Sequence, residues 1–289
     1  SHLDSFGDHT FQFIIGRIGV VIFFLFSGYL AYESRTKRNR KRYLFNRFIR
    51  MYPIYWSILL LSVVVRVTFS GEMFSLSRIL ANMTLFHQFV GFDSILGASW
   101  MMPIQVSFFL LIGIFGISLF SDMHQIFGRQ IDMKMVTIIA LMMLSIIVGY
   151  VRYRTGIPFP TAYFLLMAVA FLGLNFRKIM LGGGYQKYEL RNGIIRILVF
   201  EFGLFIAAWL SYGNEVSSYI IAYNVGLVLF LLFYSKGWEL KPYVFLSYLG
   251  FPFFLCPGIP MAVVESFVDF SISFPMMVAG WVVKFVLSL

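Results

Sequence analysis

Apolar runs of membrane-spanning length follow one another along the chain, and lysines and arginines gather in the short stretches between them. A bilayer core of roughly 30 Å takes about 20 apolar residues per helix, and only helices or closed barrels satisfy every backbone group in lipid. Strand-like alternation is absent, so the pattern predicts an all-α, polytopic transmembrane helical bundle. Composition agrees: 60% of residues are hydrophobic, 12% are charged and the mean hydropathy is +0.83, where soluble domains run about 45–50% apolar and about 25% charged. Nine spans are expected, over residues 11–32, 51–69, 100–120, 135–151, 160–176, 194–212, 216–235, 243–264 and 267–289, so that 1–289 forms one membrane-embedded domain. The opening residues, SHLDSFGDHT, read as a loop and lack the basic start and apolar core of a signal peptide.

Loop charge sets orientation, because Lys and Arg in short loops stay cytoplasmic. Arg35, Lys37, Arg38, Arg40, Lys41, Arg42, Arg47 and Arg50 form a basic block after the first span. Alternate loops add Arg129, Lys134, Arg177, Lys178, Lys187, Arg191, Lys236 and Lys241. These sixteen charges stand against three, Arg78, Arg152 and Arg154, on the opposite loops. The 33–50 loop is therefore expected inside, and the N-terminal residues, the 70–99 loop and the 213–216 turn outside. The net charge of +10 does not point to nucleic acid, which needs basic residues spread over a folded polar surface. Cys256 stands alone in an apolar run, which excludes a disulfide framework and a cysteine metal site. No Gly-rich phosphate loop is followed by Lys and Ser or Thr, so an ATP-driven pump is not expected; no metal ligand set is expected either.

A charge inside a span is costly and marks a partner or a polar cavity. In GRIGVVIFFLFSGY (16–29), Arg17 lies near the outer end of a span and Ser27-Gly28 near its inner end, where small residues admit a neighbouring helix or a ligand. Helix packing, with Arg17 snorkelling outward, is the plainer alternative. In RYLFNRFIRMYPIYW (42–56), Arg47 and Arg50 are three apart and share one helical face at the cytoplasmic boundary. Guanidinium forks suit phosphate oxygens, so the pair could grip a phosphorylated cytosolic donor such as a CoA thioester, or touch anionic lipid as a topogenic segment does. Glu201 and Lys284 are further intramembrane charges, and Arg196 lies five residues before Glu201, so a structural ion pair or a polar group of a bundle cavity is the expected role there, ahead of catalysis. On the outer loop, His87 and Asp93 stand near Trp100, where an acceptor sugar could be hydrogen-bonded and stacked. Asn82 opens a glycosylation sequon that chance readily supplies.

FFLFSGY (23–29), then FNRFIRMYPIYW (45–56), then TLFHQFVGFDSILGASWMMPIQVSFFLL (84–111) together resemble the acyltransferase family 3 integral membrane proteins. The resemblance runs over about residues 10–111, with a weaker echo at 250–257. It implies transfer of acetyl or succinyl from cytosolic acyl-CoA to a hydroxyl of a surface polysaccharide or lipid-linked glycan, in a bacterial inner or plasma membrane. Acyl-CoA, the glycan acceptor and membrane lipids are the implied partners, with no tightly bound cofactor. On this resemblance Arg47 and Arg50 face the CoA phosphates, and Ser27 and Tyr29 line the acyl passage. Arg17 matches an arginine of one branch, with Val21 in place of that branch's proline.

Departures accompany the matches. Family members begin with a span that carries a basic residue ahead of a functional His near the outer face. No such span precedes the first one here, so the resemblance implies a chain truncated at its N-terminus, with His2 roughly where that His would lie and His9 as the nearer alternative. The family's acidic position after Trp100 is Gln105, which hydrogen-bonds but cannot titrate. GFPFFLCPG (250–258) has Gly250, Phe254 and Pro257 where the family has Ser, Tyr and His. The expected catalytic set is His2 as general base on a sugar hydroxyl, Arg17 at the developing oxyanion and Gln105, near the outer mouth of the bundle. A glycan translocation or export component, or a non-catalytic scaffold of a glycan-synthesis complex, is the alternative. The missing carboxylate favours it, whereas Arg47, Arg50 and Ser27-Gly28 favour an enzyme.

Overall fold

A computed structural model describes residues 2–126, 129–156, 161–181 and 186–235, with only the backbone given for 2–13 and a few other positions. Among the described residues the helices are α1 (His2–Thr36), α2 (Arg40–Ser70), α3 (Leu76–Met83), α4 (Met102–Phe115), α5 (Ser118–Ser121), α6 (Met133–Thr155), α7 (Thr161–Leu181), α8 (Gln186–Tyr212) and α9 (Val216–Ser235). Three 3-10 turns, His87–Val90, Gly97–Met101 and Gly213–Glu215, and an antiparallel hairpin of β1 (Met123–Ile126) and β2 (Arg129–Asp132) complete them.

Six of these helices, α1, α2, α6, α7, α8 and α9, are long and apolar enough to cross a bilayer. The chain is an integral membrane protein with an all-α framework. The span expected at 100–120 is a correction: its apolar helix covers only Ser99–Phe115. Gly116 takes a left-handed φ of 82°, which ends α4. The spans expected at 243–264 and 267–289, with Cys256, Lys284 and the 250–258 motif, lie outside the described residues.

Three other expectations change. The opening residues are helical from His2, because no proline interrupts them and extending an established helix costs little. The basic 33–50 loop shrinks to residues 37–39: the Asn39 side chain accepts from the Arg42 N–H at 3.0 Å and starts α2 there, placing Arg40 to Arg50 on a helix. The hairpin stands in a stretch read as plain loop, since strands of four residues are too short to show alternation.

The described residues fall into two compact units, the first within Ser1–Leu44 and Ile104–Trp238, the second within Phe45–Pro103. In the first, α1 packs against α7 and α9, and α6 against α7 and α8. The central helix is α7, with 61% of its apolar stretch buried against at most 39% in any other span. Its small residues explain this. A Cβ on Gly173 would fall 2.0 Å from the Leu25 carbonyl oxygen, so α1 and α7 touch backbone to backbone. Without a hydrophobic drive between helices in lipid, such close packing is a main source of association. Outward faces keep Leu198, Phe202 and Ile147 exposed, as lipid permits and water would not.

Polar pairs close the end of this unit that loop charge assigns to the cytoplasm. Lys178 pairs with Asp122, Arg177 with Glu33 at 3.3 Å and Arg196 with Asp132 at 2.9 Å. Asp132 also caps α6, accepting from the Lys134 N–H at 3.0 Å. Arg196 therefore does not serve Glu201, whose carboxylate instead accepts from Asn224 Nδ2 at 3.0 Å. Five residues along a helix is a different face, whereas three or four would have been the same one.

In the second unit α2 carries the segment after it. Trp56 Nε1 donates to the Met83 carbonyl at 3.0 Å and the Tyr55 hydroxyl to that of Asn82 at 2.9 Å. Arg66, at the far end of α2, pairs with Glu72 at 2.7 Å and donates to the Ile95 carbonyl at 2.8 Å.

Candidate functional site

The first unit strings its polar groups along α1. At the end that loop charge assigns to the cytoplasm, Arg177 donates to the Tyr29 hydroxyl at 2.7 Å and lies 4.8 Å from the centre of that ring, so one guanidinium fixes both Tyr29 and Glu33. Further along, Gln105 Nε2 donates to Ser27 Oγ at 2.9 Å. Gln105 is 4% exposed, and its Oε1 is buried with no partner among the described residues. Exchanging amide O and N would only move the orphan to the nitrogen. Ser27, accepting from Gln105, keeps its own proton to donate. The pair can hold a carbonyl or hydroxyl group by hydrogen bonds, but it supplies no acid or base.

Arg17 occupies the other end of α1. It lies over the Tyr219 ring, donates to the Tyr219 hydroxyl, and stands 5.7 Å from the centre of the Tyr212 ring. Tyr212 stacks on Tyr219 with centroids 3.7 Å apart and planes at 14°, and Arg152 lies 5.3 Å from the Tyr212 centroid. The result is a ladder of two arginines and two tyrosines, in which cation–π attraction helps to hold the guanidinium groups. At about 1.5 Å per residue, Arg17 is about 15 Å along the helix from Ser27. The structure thus brings Ser27 and Gln105 together and sets Arg17 at a different depth.

The remaining candidates belong to the second unit or to backbone-only residues. Arg47 is half-buried and Arg50 exposed, one helical turn apart on α2. His87 is fully buried, with Nε2 2.7 Å from Ser94 Oγ and Nδ1 unpartnered among the described residues. Burial, and then the nearby Arg78, hold its imidazole below the usual value of 6.5. Asp93 is exposed, and its carbonyl accepts from Asn82 at 3.1 Å. Trp100 is half-buried in the 3-10 turn Gly97–Met101. His2 and His9 are placed only by the backbone of α1.

Sequence reasoning missed several organising residues. Asn82 is a buried hub, with Oδ1 accepting from the Ile95 N–H at 3.0 Å and Nδ2 donating to the Arg78 carbonyl at 2.9 Å. Arg66 was overlooked inside its span, although an arginine there is the very signal that flagged Arg17. Tyr212 and Tyr219 gave no local signal and Arg177 was read only as a loop charge, because the α1 residues they meet, Arg17, Tyr29 and Glu33, are distant in sequence. Compared with protein-family models, with curated proteins and with solved structures, the chain gives no match.

Proposed function

We propose that this chain is a transmembrane O-acyltransferase of the family 3 kind, moving acetyl or succinyl from cytosolic acyl-CoA to a hydroxyl of a surface polysaccharide or lipid-linked glycan. The observation that carries the reading is the Ser27–Gln105 hydrogen bond, 2.9 Å long. It joins residues of two separate motifs, 78 positions apart, in a part-buried polar contact that a purely apolar bundle does not need. In this reading Arg47 and Arg50 hold the CoA phosphates, and Tyr29, braced by Arg177, borders the acyl passage. A His, with His2 the candidate, takes the proton of the sugar hydroxyl as its oxygen attacks the thioester carbonyl. The C–S bond then breaks, the ester forms, and CoA leaves as its thiol after regaining a proton. Arg17 would face the developing oxyanion only by leaving Tyr219.

A non-catalytic role as scaffold or glycan-export component draws support from Gln105, which cannot titrate, and from Arg17 being already engaged. Binding and turnover separate the two. Full-length protein in nanodiscs should bind acetyl-CoA or succinyl-CoA saturably, and Arg47→Ala with Arg50→Ala should weaken binding about tenfold or more, since charge-assisted contacts are worth about 1.5–3 kcal/mol each. Added salt should erode the difference. Absence of saturable binding by the wild-type chain sinks the acyltransferase reading and leaves the scaffold. Unchanged binding in the double variant returns the two arginines to a topogenic role.

A further inference from the structure

At the exterior ends of α6 and α8, the first unit has a half-open pocket of about 340 Å³ lined chiefly by Arg152, Tyr153, Gly156, Trp209, Ser211 and Gly213. Its origin is local. The two helices run parallel and press together at Gly149, where a Cβ would stand 2.9 Å from Ser211 Oγ and 3.3 Å from the Ala207 carbonyl oxygen. Just beyond, α6 ends on Gly156 and α8 gives way to Gly213, with φ of 71° and 50°. Neither glycine has a side chain to fill the space. Tyr153 and Trp209, 68% and 62% exposed, are among its lining residues, and Arg152 lies against Tyr212 at its side.

We propose that this pocket binds a neutral sugar ring of a glycan or glycolipid at the exterior face. Three features select that chemistry. Two helix C-termini converge here, and their last carbonyls are acceptors carrying partial negative charge. These partial charges offset part of the positive charge of Arg152 and Arg154 in the last turn of α6, so the rim offers acceptors and guanidinium donors side by side rather than a field of one sign. A pyranose carries hydroxyls that donate to carbonyls and accept from a guanidinium, and its C–H face stacks on an indole. The volume lies at the small end of the roughly 300–1,000 Å³ of ligand pockets, suiting a single sugar unit. This inference shares only the glycan with the proposed function, and its test reads binding rather than transfer, so either can fail alone.

The test uses the full chain in nanodiscs and saturation-transfer NMR with methyl glycosides of glucose, galactose, N-acetylglucosamine and rhamnose, with phosphoglycerol and phosphocholine alongside. At least one glycoside should bind saturably, and Trp209→Leu and Arg152→Gln should each weaken it about tenfold. Trp209→Phe, which keeps a stacking face, should retain most of the binding and guards against loss through misfolding. No saturable glycoside binding, binding unaltered in both weakening variants, or preference for phosphoglycerol or phosphocholine would overturn the proposal. The last outcome would make the pocket a lipid-headgroup site, with Tyr153 and Trp209 as interfacial anchors.

Discussion

Gly28 sits so close to Ala170 that an added Cβ would lie 1.8 Å from the Ala170 carbonyl oxygen. Backbone cannot swing aside as a side chain can, so Gly28→Ala and Gly173→Ala must force α1 and α7 apart. Overpacking of this kind costs about 1–3 kcal/mol, and each variant should melt measurably lower in detergent. Gly16→Ala is the internal control, because nothing lies within 4 Å of its Cβ position. Equal melting temperatures for all three variants would refute the backbone contact.

Removing Ser27 strands the buried Gln105 amide, at about 1–3 kcal/mol, and removing Gln105 leaves the half-buried Ser27 hydroxyl without that partner, at a smaller cost. Ser27→Ala and Gln105→Leu should therefore each lower thermal stability, and the double variant should lose less than both losses combined. Strictly additive losses would show that the two side chains do not interact.

His87 should make the second unit acid-sensitive. Its folded value lies below the ordinary 6.5, because burial and Arg78 oppose the charged imidazolium. Above 6.5 it is neutral in both states and its contribution is complete. As pH falls through 6.5 the unfolded chain takes the proton first, and stability drops until the lower folded value is passed. Thermal melts between pH 7.5 and 5 should show this loss, and His87→Gln should flatten it. Parallel slopes in wild type and variant would count against it.

Orientation is open to labelling. In a Cys256→Ser background, Asn39→Cys and Gln125→Cys, both at exposed positions, should react with a membrane-impermeant maleimide only after permeabilisation. Ser75→Cys and Glu215→Cys, also exposed, should react in intact cells. Labelling of Asn39→Cys and Glu215→Cys from the same side would reverse the assignment that loop charge makes.

Span placement is legible in the linear sequence because its causes are local: bilayer thickness and backbone satisfaction act on any window of about 20 residues. Thus α1, α2, α6, α7, α8 and α9 all fall where apolar runs stand, and the failure at 100–120 comes from one left-handed glycine, Gly116. The small pair Ser27-Gly28 was also legible as a place of close approach, but not what approaches. A helix apolar on every side carries no stripe to say which face turns inward. Only tertiary packing could place Ala170 against Gly28, Gln105 on Ser27 and Tyr219, 202 positions away, beneath Arg17. It also gave Arg196 to Asp132 rather than to Glu201, because a buried charge takes whichever partner geometry brings within reach, and sequence proximity does not measure that distance.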